Sequence, residues 1–144
     1  MSHLVFSRLI DSLELFDAKG LRLGQWQAAN NVASTSNGIW PDGRYDFDYW
    51  KDHPESGIDG AYGTKGIFIF KVHGRVGMGV HAGRKNVADG KKRKGPQHAT
   101  LGCVRTTEEA MAKIKQTHDG GDKLTYIVLI EAMGDFPKPT VVYA

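Results

Sequence analysis

Two short blocks hold the residues best suited to chemistry. Gly79-Val80-His81-Ala82-Gly83 ends an apolar run in a histidine, and Thr100-Leu101-Gly102-Cys103-Val104-Arg105 contains the chain's one cysteine. A thiol becomes a nucleophile when it loses its proton, which free cysteine does near pH ~8.5. Thr106 and Glu109 have the spacing of a capping box, which predicts a helix opening just after Cys103. The positive end of that helix and the Arg105 guanidinium would both favour a Cys103 thiolate. Gly102 permits a sharp turn, so its N–H and that of Cys103 can point into one concavity, as an oxyanion hole requires. His81, at the end of its strand, is the candidate base. Plainer readings stand beside these. A lone cysteine is usually a small buried hydrophobe, and any one of six histidines in a chain this size is more often structural. The combination points to a nucleophilic cysteine, although spacing alone does not bring His81 to it.

The elements that must position these residues are mostly strands. Glycine, at 18 of 144 residues, is nearly twice as frequent as usual and favours a turn-rich β chain over a helix bundle. Leu4 to Phe16 contains short β-prone stretches, with period-two alternation around Leu13 and Leu15. Asp17 to Gly20 is a turn, and Leu21 to Trp26 continues beyond it as the second arm of a hairpin. Asn30 to Gly38 reads as a polar loop. Pro41-Asp42-Gly43 is a turn into a strand from Arg44 to Trp50, where aromatics alternate with charges. Lys51 to Lys65 is a loop, Gly66 to Val72 a buried strand and Val76 to Val80 another. After the long basic loop from Ala82 to Ala99 comes the one predicted helix, ending at His118 to Gly121. Lys123 to Glu131 is a strand, and Pro137 and Pro139 mark an extended tail. No repeat or linker divides residues 1–144, so the chain is read as one domain, mostly β, with one main helix.

Charge and composition exclude several functions. The net charge is +3, but Arg84 to Lys94 alone carries six basic residues against one acid, so the remainder is slightly acidic. A nucleic-acid binder should interleave aromatics with its basic residues, and none lies between Arg84 and Lys94. The longest apolar stretch, Tyr126 to Ile130, is far short of the ~18 residues that span a bilayer, so no membrane insertion is expected. Arg8, Asp11 and Glu14 break up the N-terminal apolar residues, which argues against a secretory signal. His73, His81, His98, Cys103 and His118 are zinc-ligand types, but they are scattered and lack a standard ligand spacing. No metal or other cofactor is expected, and nothing specifies an oligomeric state.

The two reactive blocks together resemble the catalytic signature of the L,D-transpeptidase (YkuD-type) domain. That signature is a histidine after a strand, a loop, then Ser/Thr, a variable residue and Gly-Cys-hydrophobic, followed by Arg or Asn. Thr100, Gly102, Cys103, Val104 and Arg105 match it, and Pro41-Asp42-Gly43-Arg44-Tyr45 resembles the family's upstream turn. The opening hairpin also fits, so the resemblance spans nearly the whole chain, though only the cysteine motif is specific. Leu101 stands where many members have histidine, Ala82 where a glycine commonly follows the base, and the stretch from His81 to Thr100 is slightly long. The resemblance implies a single β-sandwich domain and a cysteine acyl-transferase acting on peptidoglycan stem peptides. Cys103 would be the nucleophile and His81 the base, the latter oriented by the backbone carbonyl of the residue after it. The N–H groups of Leu101, Gly102 and Cys103, in the loop that begins at Thr100, would hold the oxyanion. Two roles are open for Arg105, pairing with a substrate carboxylate or holding the loop. Trp40, beside Pro41, is the aromatic best placed for a substrate cleft. His98 reads as a solvated loop histidine or as a stand-in for the histidine that Leu101 replaces.

The implied substrate lies outside the cytoplasmic membrane, in the periplasmic or extracellular wall. Trimming of a longer chain, a phage-encoded enzyme or an effector delivered by a secretion machine would each be compatible. The leading alternative is a wall-binding module in which Cys103 is inert, and slow alkylation of the thiol would favour it.

Overall fold

The computed structural model describes residues 1–32 and 39–130. The strands are β1 (Ser2–Ser7), β2 (Ser12–Phe16), β3 (Arg22–Ala29), β4 (Gly43–Lys51), β5 (Ile67–Phe70), β6 (Gly79–His81), β7 (Val104–Thr106) and β8 (Leu124–Ile130), with one α-helix, α1 (Glu108–Asp119). The strands close in the order β1-β2-β3-β7-β6-β5-β4-β8. One half (β3, β2, β1, β8, β4) and the other (β3, β7, β6, β5, β4) share β3 and β4, so the two faces expected of a sandwich are joined at both sides. All pairings are antiparallel except β1 with β8 and β6 with β7.

The expected hairpin is β2–β3. Its turn is held by Asp17, whose carboxylate accepts from the Lys19 and Leu21 N–H groups. Alternation fills the interior: Phe6, Leu13, Leu15, Phe68, Val80, Val104 and Ile127 all lie in one core with Trp40. Met111 and Ile114, on the buried side of α1, join the same core. The predicted Val76–Val80 strand is reduced to Gly79–His81. Positive φ angles at Gly74 and Gly77 (+74° and +75°) interrupt the extended run, and Val76 projects into solvent.

The helix start is the main correction. Thr107, not Thr106, is the N-cap, its side chain accepting from the Ala110 N–H at 3.0 Å. Thr106 ends β7 and its hydroxyl donates to Gln27 O. Three residues of strand therefore separate Cys103 from α1, and the cysteine does not sit at a helix terminus. Residues 33–38 of the Asn30–Gly38 loop, Glu131 of the last predicted strand and the Pro137–Pro139 tail lie outside the described residues.

Candidate active site

The parallel pair β6–β7 brings the two reactive blocks together. Val80 pairs with Val104 and His81 with Arg105. Since side chains alternate along a strand, both valines point into the core, and His81, Arg105 and the preceding Cys103 share the opposite face. There Cys103 packs with Ile67 and Ile69 of β5 under Tyr62. A cleft of about 230 Å³ opens over this face, lined by Tyr62, His81, Arg84, His98, Thr100, Leu101, Cys103 and Arg105 among others. A larger hollow of about 440 Å³, lined by Tyr49, Ile69 and Gly77, adjoins it. Cys103 lines the smaller cleft, and its Sγ lies 3.5 Å from the carbonyl of Gly77, which lines the larger one.

His81 is held in one orientation and one tautomer. Its Nδ1 lies 2.7 Å from Ala82 O, so Nδ1 carries the proton and Nε2 keeps its lone pair. The ring is almost wholly buried, and Tyr62 meets it edge-on at 4.9 Å. Tyr62 is itself stacked on His53 at 4.1 Å. Burial pulls the His81 pKa down to about 3, against a smaller opposing pull from the Ala82 bond. Cys103 moves the other way from the sequence expectation. With no helix end beside it, burial pushes the thiol up, only partly offset by the Gly79 backbone and Arg105. The resting pair is therefore neutral thiol and neutral imidazole.

The loop before Cys103 is braced from below. Gly102 adopts φ of +135°, which glycine tolerates and other residues avoid. Its carbonyl accepts from the Asn30 side-chain amide and from the Trp40 indole, both at 2.8 Å, and Asn30 also donates to Cys103 O. Thr100 Oγ1 donates to Cys103 O and accepts from the Gly102 N–H at 3.1 Å. That N–H is thus engaged within the loop, while those of Leu101 and Cys103 take no partner among the described residues. Trp40 is fully buried and offers no stacking face to a cleft, contrary to expectation. An indole that large is worth most in the core once its N–H has a partner, and Gly102 O supplies one. Asn30 escaped the sequence reading because it sits in a polar run. The signal was its place directly after the paired, fully buried Ala28 and Ala29 at the end of β3.

Arg105 fills the role of holding the loop. It is 3% exposed, and its guanidinium donates to Ala82 O, His98 O, Ala99 O and Ala61 O. Burial lowers its pKa to about 10, which leaves it charged at neutral pH. One fork thereby ties together the carbonyl that orients His81, the end of the basic loop and the segment carrying Tyr62. Lysine has a single ammonium and cannot span four carbonyls. Arg105→Lys is expected to cost about 3 kcal/mol, the penalty of leaving buried carbonyls unpaired, measured as a drop in the urea midpoint at unchanged slope.

No family model matches the chain, and no curated protein does. Solved structures are similar to it. Bd1075 of Bdellovibrio bacteriovorus aligns with a TM-score of 0.64 at 16% identity, over 88% of this chain and 46% of that one. An L,D-transpeptidase (Yku) from Stackebrandtia nassauensis aligns with a TM-score of 0.55 at 14% identity, over 94% and 57%. The L,D-transpeptidase from Mycobacterium smegmatis gives 0.53 at 16% identity, over 89% and 58%. The chain spans about half the length of these proteins. Their likeness, with the expected mostly-β architecture and single helix in place, shows that this chain has the fold of L,D-transpeptidase domains.

Proposed function

We propose that the protein is a cysteine acyl-transferase acting on peptidoglycan stem peptides. The observation that carries this reading is the shared face of β6 and β7, where an Nδ1-anchored imidazole and the thiol line one cleft. Cys103 Sγ attacks the carbonyl between the third residue of a stem and its terminal D-alanine. His81 Nε2 takes the thiol proton and delivers it to the departing amine, leaving a thioester on Cys103. The Leu101 and Cys103 N–H groups are the donors left to meet the oxyanion. An amine or water then resolves the thioester. The neutral resting pair suits this sequence, because charge need only develop while the substrate excludes water from the cleft.

The wall, periplasmic or extracellular, is the place of action in this reading. The positive segment from Arg84 to Lys94 favours approach to anionic wall material, an attraction that salt would weaken. The test is mass spectrometry of disaccharide-tetrapeptide muropeptides incubated with the protein, with and without an acceptor amine. Cross-linked dimers, loss of D-alanine or an exchanged terminal residue would establish the reaction. Unchanged muropeptides under both conditions would reject it in favour of a wall-binding module.

A further inference from the structure

The cleft contains a second imidazole prepared in the same way as the first. His98 Nδ1 lies 3.0 Å from the carbonyl of the next residue, Ala99, as His81 Nδ1 does from Ala82. Arg105 donates to both of those carbonyls. Its Nη1 also lies 3.2 Å from His98 Nδ1, which raises the question of which atom holds the proton. The two hydrogens on Nη1 are taken by His98 O at 2.8 Å and Ala99 O at 3.1 Å. Nδ1 is therefore the donor to Ala99 O, and Nε2 keeps its lone pair.

His98 is also held in place. It closes the 3-10 turn Gly95–Gln97, its N–H donating to Gly95 O. Gln97 is fixed on both sides, accepting twice from the Asn31 side chain and donating to Asp11. Thr100 N donates to Asn31 O on the far side. Asp89 organises the basic loop by accepting from the Lys91, Arg93 and Ala99 N–H groups. An imidazole anchored at Nδ1, half-buried in the cleft and carried on a braced turn is more than a solvated loop residue needs.

We infer that His98 is the base for the second amine in cross-linking, distinct from the base that serves D-alanine. The inference rests on the acyl-transfer reading proposed above. In this step the neutral amine of a second stem attacks the thioester carbonyl. The C–N bond forms, the C–S bond breaks and the amine loses one proton to His98 Nε2. The sulfur leaves as thiolate; His98 releases its proton to solvent and the thiolate takes one up from it, so that Cys103 returns as the thiol and His98 as the neutral base. Arg84, from the same basic segment, lines the cleft with His98 and places positive charge where an acidic second stem would enter. Exchange with free D-alanine cannot use this route. It is the exact reverse of D-alanine departure, so microscopic reversibility keeps it on His81.

That difference supplies the test. His98→Ala removes the side chain, whereas His98→Asn keeps an N–H near the Nδ1 position and removes Nε2. Both leave the backbone bonds of Arg105 in place. Tetrapeptide muropeptides would be incubated with isotope-labelled D-alanine, and separately without it, for wild type and both variants. Exchange is expected to stay within threefold of wild type while dimer formation falls ~100-fold, the usual worth of a positioned base. Equal retention of both activities would overturn the inference, and so would equal loss of both. Wild-type protein that exchanges D-alanine but forms no dimer would also overturn it, while leaving the acyl-transfer reading intact. Wild type that only releases D-alanine would likewise overturn the inference and leave the reading intact, whereas wild type that leaves the muropeptides unchanged fails both.

Discussion

Under the proposed acyl-transfer reading, Cys103→Ala is expected to abolish every covalent outcome at once, whether dimers, D-alanine loss or exchange, and to leave no stem-peptide adduct in the intact protein mass. The expected loss is complete within detection, because no other residue could carry the thioester. Cys103 is the chain's one cysteine, and the site offers no second thiol. The variant should remain folded. The thiol packs in a small outer cluster with Ile67 and Ile69, outside the main core. Its polar contacts are with backbone alone, a long one to Gly77 O and one with Gly79, so truncation removes little besides a sulfur. The cost is about 1 kcal/mol, near that of a buried methylene. An inactive variant with a nearly unchanged unfolding curve isolates chemistry from stability. A Cys103→Ala protein that still released D-alanine would place the nucleophile elsewhere and overturn the mechanism.

Much of this site was legible because strand alternation is a strong rule. Once Val80 and Val104 are assigned to a core, His81, Cys103 and Arg105 must share the other face wherever the two segments pair. What the sequence did not reveal was the pairing itself. β7 is only three residues long, too short for periodicity to register, and Thr106 sits where a capping threonine could equally stand. That single ambiguity moved the helix forward by one residue and credited Cys103 with a dipole it lacks. The error reached the electrostatics, since the thiol is governed by burial instead. Trp40 and Arg105 illustrate a second limit. Each has a polar group that can serve either a ligand or a backbone carbonyl, and the choice depends on which carbonyls the fold leaves unpaired. Gly102 O and Ala82 O decide it, and both are set by long-range packing. Tyr62 was invisible for a related reason. Its loop is polar in composition, yet Glu108 ties it to the helix through the Thr64 N–H and hydroxyl, and Tyr62 is thereby carried over the cleft.

His81→Gln should show two independent effects, one on rate and one on acid stability. Glutamine reaches about as far as the imidazole, but its neutral amide cannot take up a proton as Nε2 does. Removing a general base slows acyl transfer by roughly 100- to 10,000-fold, read as the rate of D-alanine release under single-turnover conditions. The stability effect follows from burial. His81 titrates at about 3 in the folded protein and near ~6.5 when unfolded. Below pH ~6.5 the unfolded chain takes up a proton that the folded chain refuses, so stability falls as pH drops toward 3. The slope is about 1.4 kcal/mol per pH unit, or about 2 kcal/mol between neutral pH and pH ~5. His3 and His118 are also lowered, chiefly by burial, and add to the same trend. Urea titrations at the two pH values should therefore show a wild-type loss that His81→Gln reduces but does not remove. An unchanged acid slope would mean that His81 accepts a proton in the folded state. In that case the buried neutral base, and the neutral resting pair built on it, would have to be given up, even if the rate fell as expected.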